Sequence, residues 1–241
     1  MPLVAEFLQA NPDVRRDAEL MAYLCFHDRR FDYLMEKVEA VLRAHPRLRR
    51  ILDVGPSLPT WALRERHPEI VVNTGGFADP RFPARPQDRH FEFDLNDAQT
   101  PGLLPAIEEH DFILMSEVLE HLHTSPVMVL REVSRWLRPG GFMLLQTPNP
   151  VSLGKRLDHL RGKNPFEIIR EDRRNPGHFC EYRIEDLREI SRAAGLEVTG
   201  AWLENYFGRR RLRVALYEML CRILPGNLRD GITVLLRKPG G

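Results

Sequence analysis

Cysteine is scarce in this 241-residue chain, which contains only Cys25, Cys180 and Cys221. The three thiols are odd in number and far apart, and no C-x-x-C pair occurs, so the sequence argues against a disulfide framework and a cysteine-type zinc site. We therefore expect reduced thiols in a reducing compartment, which makes the cytoplasm the predicted location.

Long apolar runs and charge of one sign are also missing. No stretch approaches the ~20 apolar residues of a membrane span, so we expect no transmembrane helix. The first ten residues lack a basic segment followed by a long apolar core, so we expect no signal peptide. The formal net charge is +1. A nearly neutral chain does not favour nucleic acid as a partner, although arginines at 170–174 and 209–213 form local basic patches.

The first 49 residues carry a helical pattern of apolar residues from Asp17 onward, with a break predicted near His27 and Asp28. We expect residues 1–49 to form an N-terminal helical cap. Strands and helices then alternate, which predicts an α/β domain over 50–241 whose parallel sheet has helices on both faces. The predicted strands are 50–54, 70–73, 91–93, 112–115, 142–146, 196–203 and 232–236, and the predicted helices are 59–66, a short piece after 101–102, 125–137 and 184–194.

Two segments interrupt the alternation. Residues 151–182 are rich in charge and are predicted to cross the carboxyl edge of the sheet as an active-site cover, because ligands bind at that edge. Residues 208–225 are predicted to form a basic amphipathic helix, with its apolar and arginine faces formed within 209–224. Such a helix either packs on its own domain, which we slightly favour, or makes peripheral contact with an anionic membrane.

Three stretches of the domain form a recognisable set: Ile51-Leu52-Asp53-Val54-Gly55, the run from Asp111 to Leu122, and the run from Leu130 to Gly141. In order and spacing they resemble class I S-adenosylmethionine-dependent methyltransferases of the group that includes ubiquinone and menaquinone methyltransferases. The resemblance implies a Rossmann-like, doubly wound seven-stranded sheet whose last strand is antiparallel. It also implies S-adenosylmethionine as the methyl donor.

The resemblance also assigns roles to individual residues. Asp53 and Gly55 would serve the methionyl end of the donor, Asp94 and Leu95 the adenine, and Ser116 and Glu117 the methionyl side and the reaction centre. The sequence departs from the family where Ser57 and Pro59 replace two glycines, and where Asn73 and Thr74 stand in place of the acid that binds the ribose. The predicted donor-binding residues are thus Asp53, Gly55, Ser57, Asn73, Thr74, Asp94, Leu95, Ser116 and Glu117.

His178 and Glu117 are the candidate catalytic residues. An imidazole at His178 can take a proton from a hydroxyl acceptor near neutral pH. A second hypothesis combines Glu117, Glu120, His121 and His178 as ligands of a divalent metal, because positions i, i+3 and i+4 share a helix face. Some relatives use such a set, but we favour a structural role for Glu120 and His121 and predict no metal.

The sequence therefore predicts transfer of a methyl group from S-adenosylmethionine to a small-molecule or lipid-linked acceptor, with an oxygen atom as the first choice. The alternative is a non-catalytic or repurposed methyltransferase-like module with a weakened donor site. The altered glycine loop and the missing ribose acid favour the alternative, whereas Asp53, Asp94 and Glu117 oppose it.

Overall fold

In the computed structural model, which describes residues 1–207, 219 and 225–240, the chain folds around one seven-stranded sheet. The strand order is β3-β2-β1-β4-β5-β7-β6. β1 to β5 pair in parallel, and β7, the last strand in the chain, is antiparallel to both β5 and β6. The strands are β1 Arg50–Val54, β2 Val71–Gly76, β3 His90–Glu92, β4 His110–Ser116, β5 Leu137–Pro148, β6 Glu197–Glu204 and β7 Gly231–Arg237.

Helices cover both faces of the sheet, as the doubly wound prediction requires, so the predicted fold class is confirmed. The described α-helices are α1 Leu3–Ala10, α2 Ala18–Ala44, α3 Leu58–Arg66, α4 Pro126–Arg135, α5 Leu153–Leu160 and α6 Ile184–Ala193. Alternate residues of the central strands point to opposite faces. Leu52 and Ile113 join a core beneath α4 and α6, while Ile51 and Phe112 join one beneath α1, α2 and α3.

The N-terminal helices follow the predicted pattern with one correction. Helix α2 begins where Asp17 accepts a hydrogen bond from the Leu20 backbone N–H at 2.9 Å, and it runs on to Ala44. The predicted break near His27 and Asp28 is wrong. Neither residue lacks a backbone N–H donor as proline does, so the helical hydrogen bonds can continue. The His27 ring also packs against Tyr23, with 4.6 Å between the ring centroids, and this contact stabilises the helical turn.

Several predicted boundaries also need correction. β5 begins at Leu137 and includes Pro139-Gly140-Gly141, so it starts five residues before the predicted strand 142–146. Gly140 has a φ of 76°, and the pairing with β4 shifts register between His110 and Phe112, so the strand tolerates the proline at an irregularity. The helix predicted after residues 101–102 is absent from the described part of the chain, where residues 103–109 have no helical turn.

Residues 151–182 contain α5 and then an irregular path back to α6. The predicted basic helix at 208–225 falls on a segment that, apart from Met219 and Pro225, lies outside the described residues. Within the described ranges, no helix combines the length and hydrophobicity needed to span a bilayer. Cys25 and Cys180 are free and exposed.

Candidate functional site

The carboxyl end of β1 delivers Asp53 to a small buried network. Its carboxylate accepts a hydrogen bond from the Thr60 hydroxyl at 2.5 Å, and the Thr60 oxygen accepts one from the Ser57 backbone N–H at 2.9 Å. Ser57 thereby stands directly before α3, with Pro59 in the first helical turn, where its missing N–H costs nothing. The altered loop still places the N-terminus of a helix directly after the turn that follows β1.

Glycines bring the turns after β1 and β2 close together. Gly55 has a φ of 82°, its N–H donates to the Gly75 carbonyl at 2.9 Å, and a Cβ there would lie 3.1 Å from Val118. Gly76 has a φ of 100°, and a Cβ added to it would lie 3.7 Å from the Gly55 nitrogen. Side chains at these positions would fill the space between the two turns.

Asn73 and Thr74, the residues predicted at the ribose position, have their side-chain polar groups engaged within the protein. β2 extends to Gly76, so both residues lie inside the sheet and are almost fully buried. The Asn73 amide is used on both sides, since its nitrogen pairs with His110 at 2.9 Å and its oxygen accepts from the Arg89 N–H. Thr74 pairs with His90 at 2.9 Å. The strand predicted at 70–73 thus continues through two glycines beyond the apolar run.

Asp94 follows β3 and forms an ion pair with the 151–182 segment at the carboxyl edge of the sheet. One of its oxygens accepts from the Asn96 N–H at 2.9 Å, and the other forms an ion pair with Arg173 at 3.1 Å. The Arg173 guanidinium also lies 5.5 Å from the Phe77 ring. Leu95 is buried in the core of the same face. The residue predicted to receive the adenine amino group is therefore paired with a cation from the 151–182 segment.

Ser116 and Glu117 end β4 at the centre of this edge. The Ser116 hydroxyl donates to the Gln146 side chain at 2.8 Å. Among the described residues, Glu117 is the one non-glycine residue with a positive φ, 56°. Such a backbone conformation costs about 1–3 kcal/mol and persists where surrounding contacts impose it, often at functional sites. The carboxylate of Glu117 is thereby held at the carboxyl edge of the sheet.

Arg30 is a residue of this site that was not predicted from the sequence. It enters from α2, is 3% exposed, and places its guanidinium 4.0 Å from the Glu117 carboxylate. Its hydrogen bond to the Tyr23 hydroxyl is long, at 3.4 Å, and its Nε has no partner among the described residues. A buried charge normally requires close pairing. One feature of the sequence could have indicated Arg30. It lies four residues before Leu34, so a cation falls on the apolar stripe of the helix, where a buried partner would be expected.

Glu120, His121 and His178 meet beside Glu117. One nitrogen from each imidazole and one oxygen of Glu120 lie within 4.8 Å of one another. Glu117, the fourth member of the predicted ligand set, does not belong to this cluster in the part of the chain that the structure describes. Glu120 is fully buried, with one oxygen accepting from the Thr147 hydroxyl at 3.1 Å and the other without a partner among the described residues.

Burial and like charge shift the protonation of this group. Burial, and then the neighbouring Glu120, raise the pKa of Glu117 well above its usual range, and burial also raises the pKa of Glu120. Burial lowers the pKa of His121 and, with Arg30, lowers that of His27 to about 3. Burial therefore disfavours the charged forms of Glu117, Glu120 and His121.

The 151–182 segment is fastened to this cluster by backbone groups. The His121 ring pairs through Nδ1 with the Gly177 carbonyl at 2.9 Å, and the Phe179 N–H donates to the Glu120 carbonyl at 2.8 Å. His178 stands between these two anchor points, and its Nδ1 pairs with Glu181 at 2.8 Å. The sequence brought His178 to the correct edge of the sheet, but Glu181 was not predicted.

Residues 26–201 match the family profile described as "Methyltransferase domain", which is more than half of the chain. The chain belongs to this methyltransferase family. A curated relative from Mycolicibacterium smegmatis, named a probable S-adenosylmethionine-dependent methyltransferase, is 28% identical over 151 residues. That match covers 62% of this chain and 44% of the relative, so the chain spans less than half the length of the relative.

Solved structures show the same fold at low sequence identity. An S-adenosylmethionine-dependent methyltransferase from Archaeoglobus fulgidus superposes with a TM-score of 0.56 at 16% identity, covering 92% of this chain and all of that one. An O-methyltransferase family protein from Burkholderia thailandensis gives a TM-score of 0.52 at 18% identity, covering 88% of this chain and 57% of that one. These likenesses support the methyltransferase fold. The narrower resemblance to ubiquinone and menaquinone enzymes is not established by them.

The family uses S-adenosylmethionine as its methyl donor, and the residues present suit that molecule. The methionyl end of the donor is a zwitterion with one ammonium and one carboxylate. Arg30 offers a positive charge and Glu117 offers a carboxyl group beside it, each with a buried polar atom unpartnered within the described ranges. Gly55 and Gly76 leave open the space that side chains would fill.

Proposed function

We propose that this protein transfers a methyl group from S-adenosylmethionine to a hydroxyl oxygen of a small-molecule or lipid-linked acceptor. The observation that carries the proposal is the pairing of Arg30 and Glu117 at the end of β4, next to an imidazole that is held in place. The resemblance to ubiquinone and menaquinone methyltransferases favours the lipid-linked alternative for the acceptor.

Arg30 and Glu117 would hold the methionyl end. The Arg30 guanidinium would bind the donor carboxylate. The carboxylate would then be a close anionic partner for Arg30, since Glu117 lies 4.0 Å from it. Glu117 would accept from the donor ammonium, whose positive charge would favour ionisation of a carboxyl group that burial disfavours. Asp53, Gly55 and the start of α3 would complete this half of the site, and Asp94 would receive the adenine amino group once Arg173 moves aside.

His178 would act on the acceptor. S-adenosylmethionine supplies an activated methyl group on a sulfonium, which becomes a neutral thioether when the carbon–sulfur bond breaks. The acceptor oxygen forms the new bond to carbon while Nε2 of His178 takes the hydroxyl proton and later returns it to solvent. Most of the rate would come from holding the two reactants in line, since a fixed geometry removes the entropic cost of their encounter.

The competing function is a module that uses the same fold only to bind a ligand. It is supported by the absence of an acid at the end of β2, where the structure has Gly75 and Gly76 instead. The buried Arg30–Glu117 pair supports binding of a zwitterionic donor, and the imidazole of His178, held by Glu181, favours the enzyme over a module that only binds.

Calorimetric titration with S-adenosylmethionine and S-adenosylhomocysteine tests the proposal. We expect micromolar dissociation constants for the wild-type protein and at least a tenfold loss in Arg30→Met, a change equivalent to about 1.4 kcal/mol. The matched control is Arg43→Met, which removes an exposed arginine from the same helix and should bind both ligands as the wild type does.

Two outcomes would contradict the proposal. Failure of the folded wild-type protein to bind either ligand at millimolar concentration would favour the binding module. Equal affinities for wild type and Arg30→Met would remove Arg30 from the donor site. If binding is confirmed, incubation with labelled donor and a panel of hydroxylated acceptors, with and without lipid tails, would identify the acceptor class.

A further inference from the structure

Glu181 and Lys155 form a buried charge pair directly behind His178. The Glu181 side chain is 3% exposed, and its two oxygens have different partners, His178 Nδ1 at 2.8 Å and the Lys155 ammonium. Lys155 comes from α5 and His178 from the end of the 151–182 segment, so the pair joins two parts of that segment. None of the donor contacts proposed above uses either residue.

The hydrogen bond decides which nitrogen of His178 is free. An ionised carboxylate only accepts hydrogen bonds, so Nδ1 must carry the proton when it pairs with Glu181. Nε2 of the neutral ring then has a lone pair and is the nitrogen left to accept a proton. Carboxylates that orient a catalytic imidazole act in this way, and they also stabilise the cation that forms after proton transfer.

Lys155 helps to keep Glu181 ionised, which is the form that accepts the hydrogen bond from His178 Nδ1. Burial opposes the charge on Glu181, but the His178 hydrogen bond and the charge of Lys155 more than offset it, so the pKa of Glu181 lies below its usual range. Lys155 is itself held over the Phe166 ring at 5.4 Å. Glu181 therefore faces the His178 imidazole as a carboxylate, which accepts the Nδ1–H hydrogen bond and leaves the proton on the imidazole.

Contacts on either side of His178 restrict the orientation of its ring. Gly177 has a φ of 85°, its carbonyl pairs with His121, and the next N–H, that of Phe179, donates to Glu120. The His121 and His178 rings meet edge to face with centroids 4.8 Å apart. The charged and titratable groups around the His178 ring are Glu117, Glu120, His121, Lys155 and Glu181.

We propose that Glu181, held ionised by Lys155, is a positioning residue that fixes His178 as the Nδ1–H tautomer and leaves Nε2 as the proton acceptor. The inference rests on the proposed function, because the proton that Nε2 would receive is that of the acceptor hydroxyl. It adds two residues, Lys155 and Glu181, that act through His178 without touching a reactant.

The test is the tautomer of His178 in the full-length protein, read from long-range ¹H–¹⁵N correlations of histidine-labelled samples and assigned with His178→Ala. We expect the Nδ1–H tautomer in the wild type, in contrast to free histidine, which favours Nε2–H. Glu181→Leu should shift His178 towards the Nε2–H form, Glu181→Asp should restore part of the Nδ1–H signal, and Lys155→Met should give a mixture.

Asp158→Asn is the matched control, because it alters an exposed pair with Arg161 on the same helix as Lys155 and should leave the tautomer unchanged. An Nε2–H tautomer in the wild type, or an Nδ1–H tautomer that survives in Glu181→Leu, would overturn the inference. The readout needs neither donor nor acceptor. Failure of the proposed methyl transfer would therefore appear in the titrations and acceptor panel, and failure of this inference in the spectra.

Discussion

Asp53 links the stability of the site to pH. The carboxyl group is buried beneath the start of α3, and burial raises its pKa to about 7, although the hydrogen bond from Thr60 and the charge of Arg64 act in the opposite direction. A folded-state pKa above the ordinary value means that the folded protein binds more protons than the unfolded chain between about pH 4 and 7. The free energy of unfolding therefore falls as the pH rises through that window.

We predict that Asp53→Asn removes a contribution that lowers the melting temperature as the pH rises from 5 to 8, so the melting temperature of the wild type falls relative to that of the variant over this range. Each pKa unit corresponds to about 1.4 kcal/mol, so the contribution of Asp53 amounts to a few kcal/mol at most. Calorimetric or fluorescence melting across the pH range measures it. Asp230, whose pKa burial raises to about 6, contributes in the same direction and accounts for part of the slope that remains. A slope identical in the wild type and Asp53→Asn would contradict the prediction.

Arg30 and Glu181 show where residue-level prediction from sequence ended. The sequence placed Asp53, Glu117 and His178 at one edge, because strand ends and loops of this fold share that edge. It did not place Arg30 beside Glu117, since those two residues meet only through the packing of α2 on the sheet. Glu181 was equally hidden, because its role depends on the rotamers of His178 and Lys155.

At the scale of the elements, a buried ion network fastens β2 to α3. The Asp88 carboxylate pairs with Arg64 at 3.0 Å and Arg85 at 2.8 Å, and it accepts from the Val72 N–H at 2.9 Å. Its side chain is fully buried. The network holds the long loop after β2 against the sheet.

We predict that Asp88→Ala destabilises the protein by about 3–5 kcal/mol, because it leaves two arginines without their buried anion. Chemical denaturation followed by circular dichroism measures the loss. Asp79→Ala is the matched control in the same loop. Asp79 pairs with the half-exposed Arg81, and such pairs contribute about 0–1 kcal/mol. A loss below 1 kcal/mol in Asp88→Ala would show that the network does not support this loop.

The elements themselves followed from the sequence, but their ends often did not. β1 was predicted at its observed bounds because an apolar run ends at an acid and a glycine. β2 and β5 extend through glycines that the sequence pattern indicates as turns, since pairing with neighbouring strands outweighs the local preference. Helix α2 likewise continues through His27 and Asp28 because packing stabilises that turn.

At the scale of the whole molecule, donor binding should appear as added stability. A ligand that binds only the folded state stabilises it by about 2.7 kcal/mol at one hundred times its dissociation constant. We predict that S-adenosylhomocysteine raises the melting temperature equally in the presence of EDTA and of magnesium. The reason is that the proposed donor site does not use the Glu120–His121–His178 cluster. Thermal melts under the two conditions measure the effect.

A ligand-induced shift that disappears in EDTA and returns with magnesium would contradict this prediction and would assign the cluster a metal. The control is His121→Asn, which removes one nitrogen of the cluster and should leave the shift caused by S-adenosylhomocysteine unchanged. The cluster would then have a structural role, as we expected for Glu120 and His121, with His178 free to act on the acceptor.

The sequence by itself determined the fold and its family. The alternation of period-two and helical patterns, with glycine and acid at the end of β1, indicates which face of each element is buried, and that pattern is a local property of the chain. Only the tertiary structure decided the site. Arg30, Glu117 and His178 come from three distant segments, and their contacts depend on the packing of α2 and of residues 151–182 against the sheet, which no local pattern records.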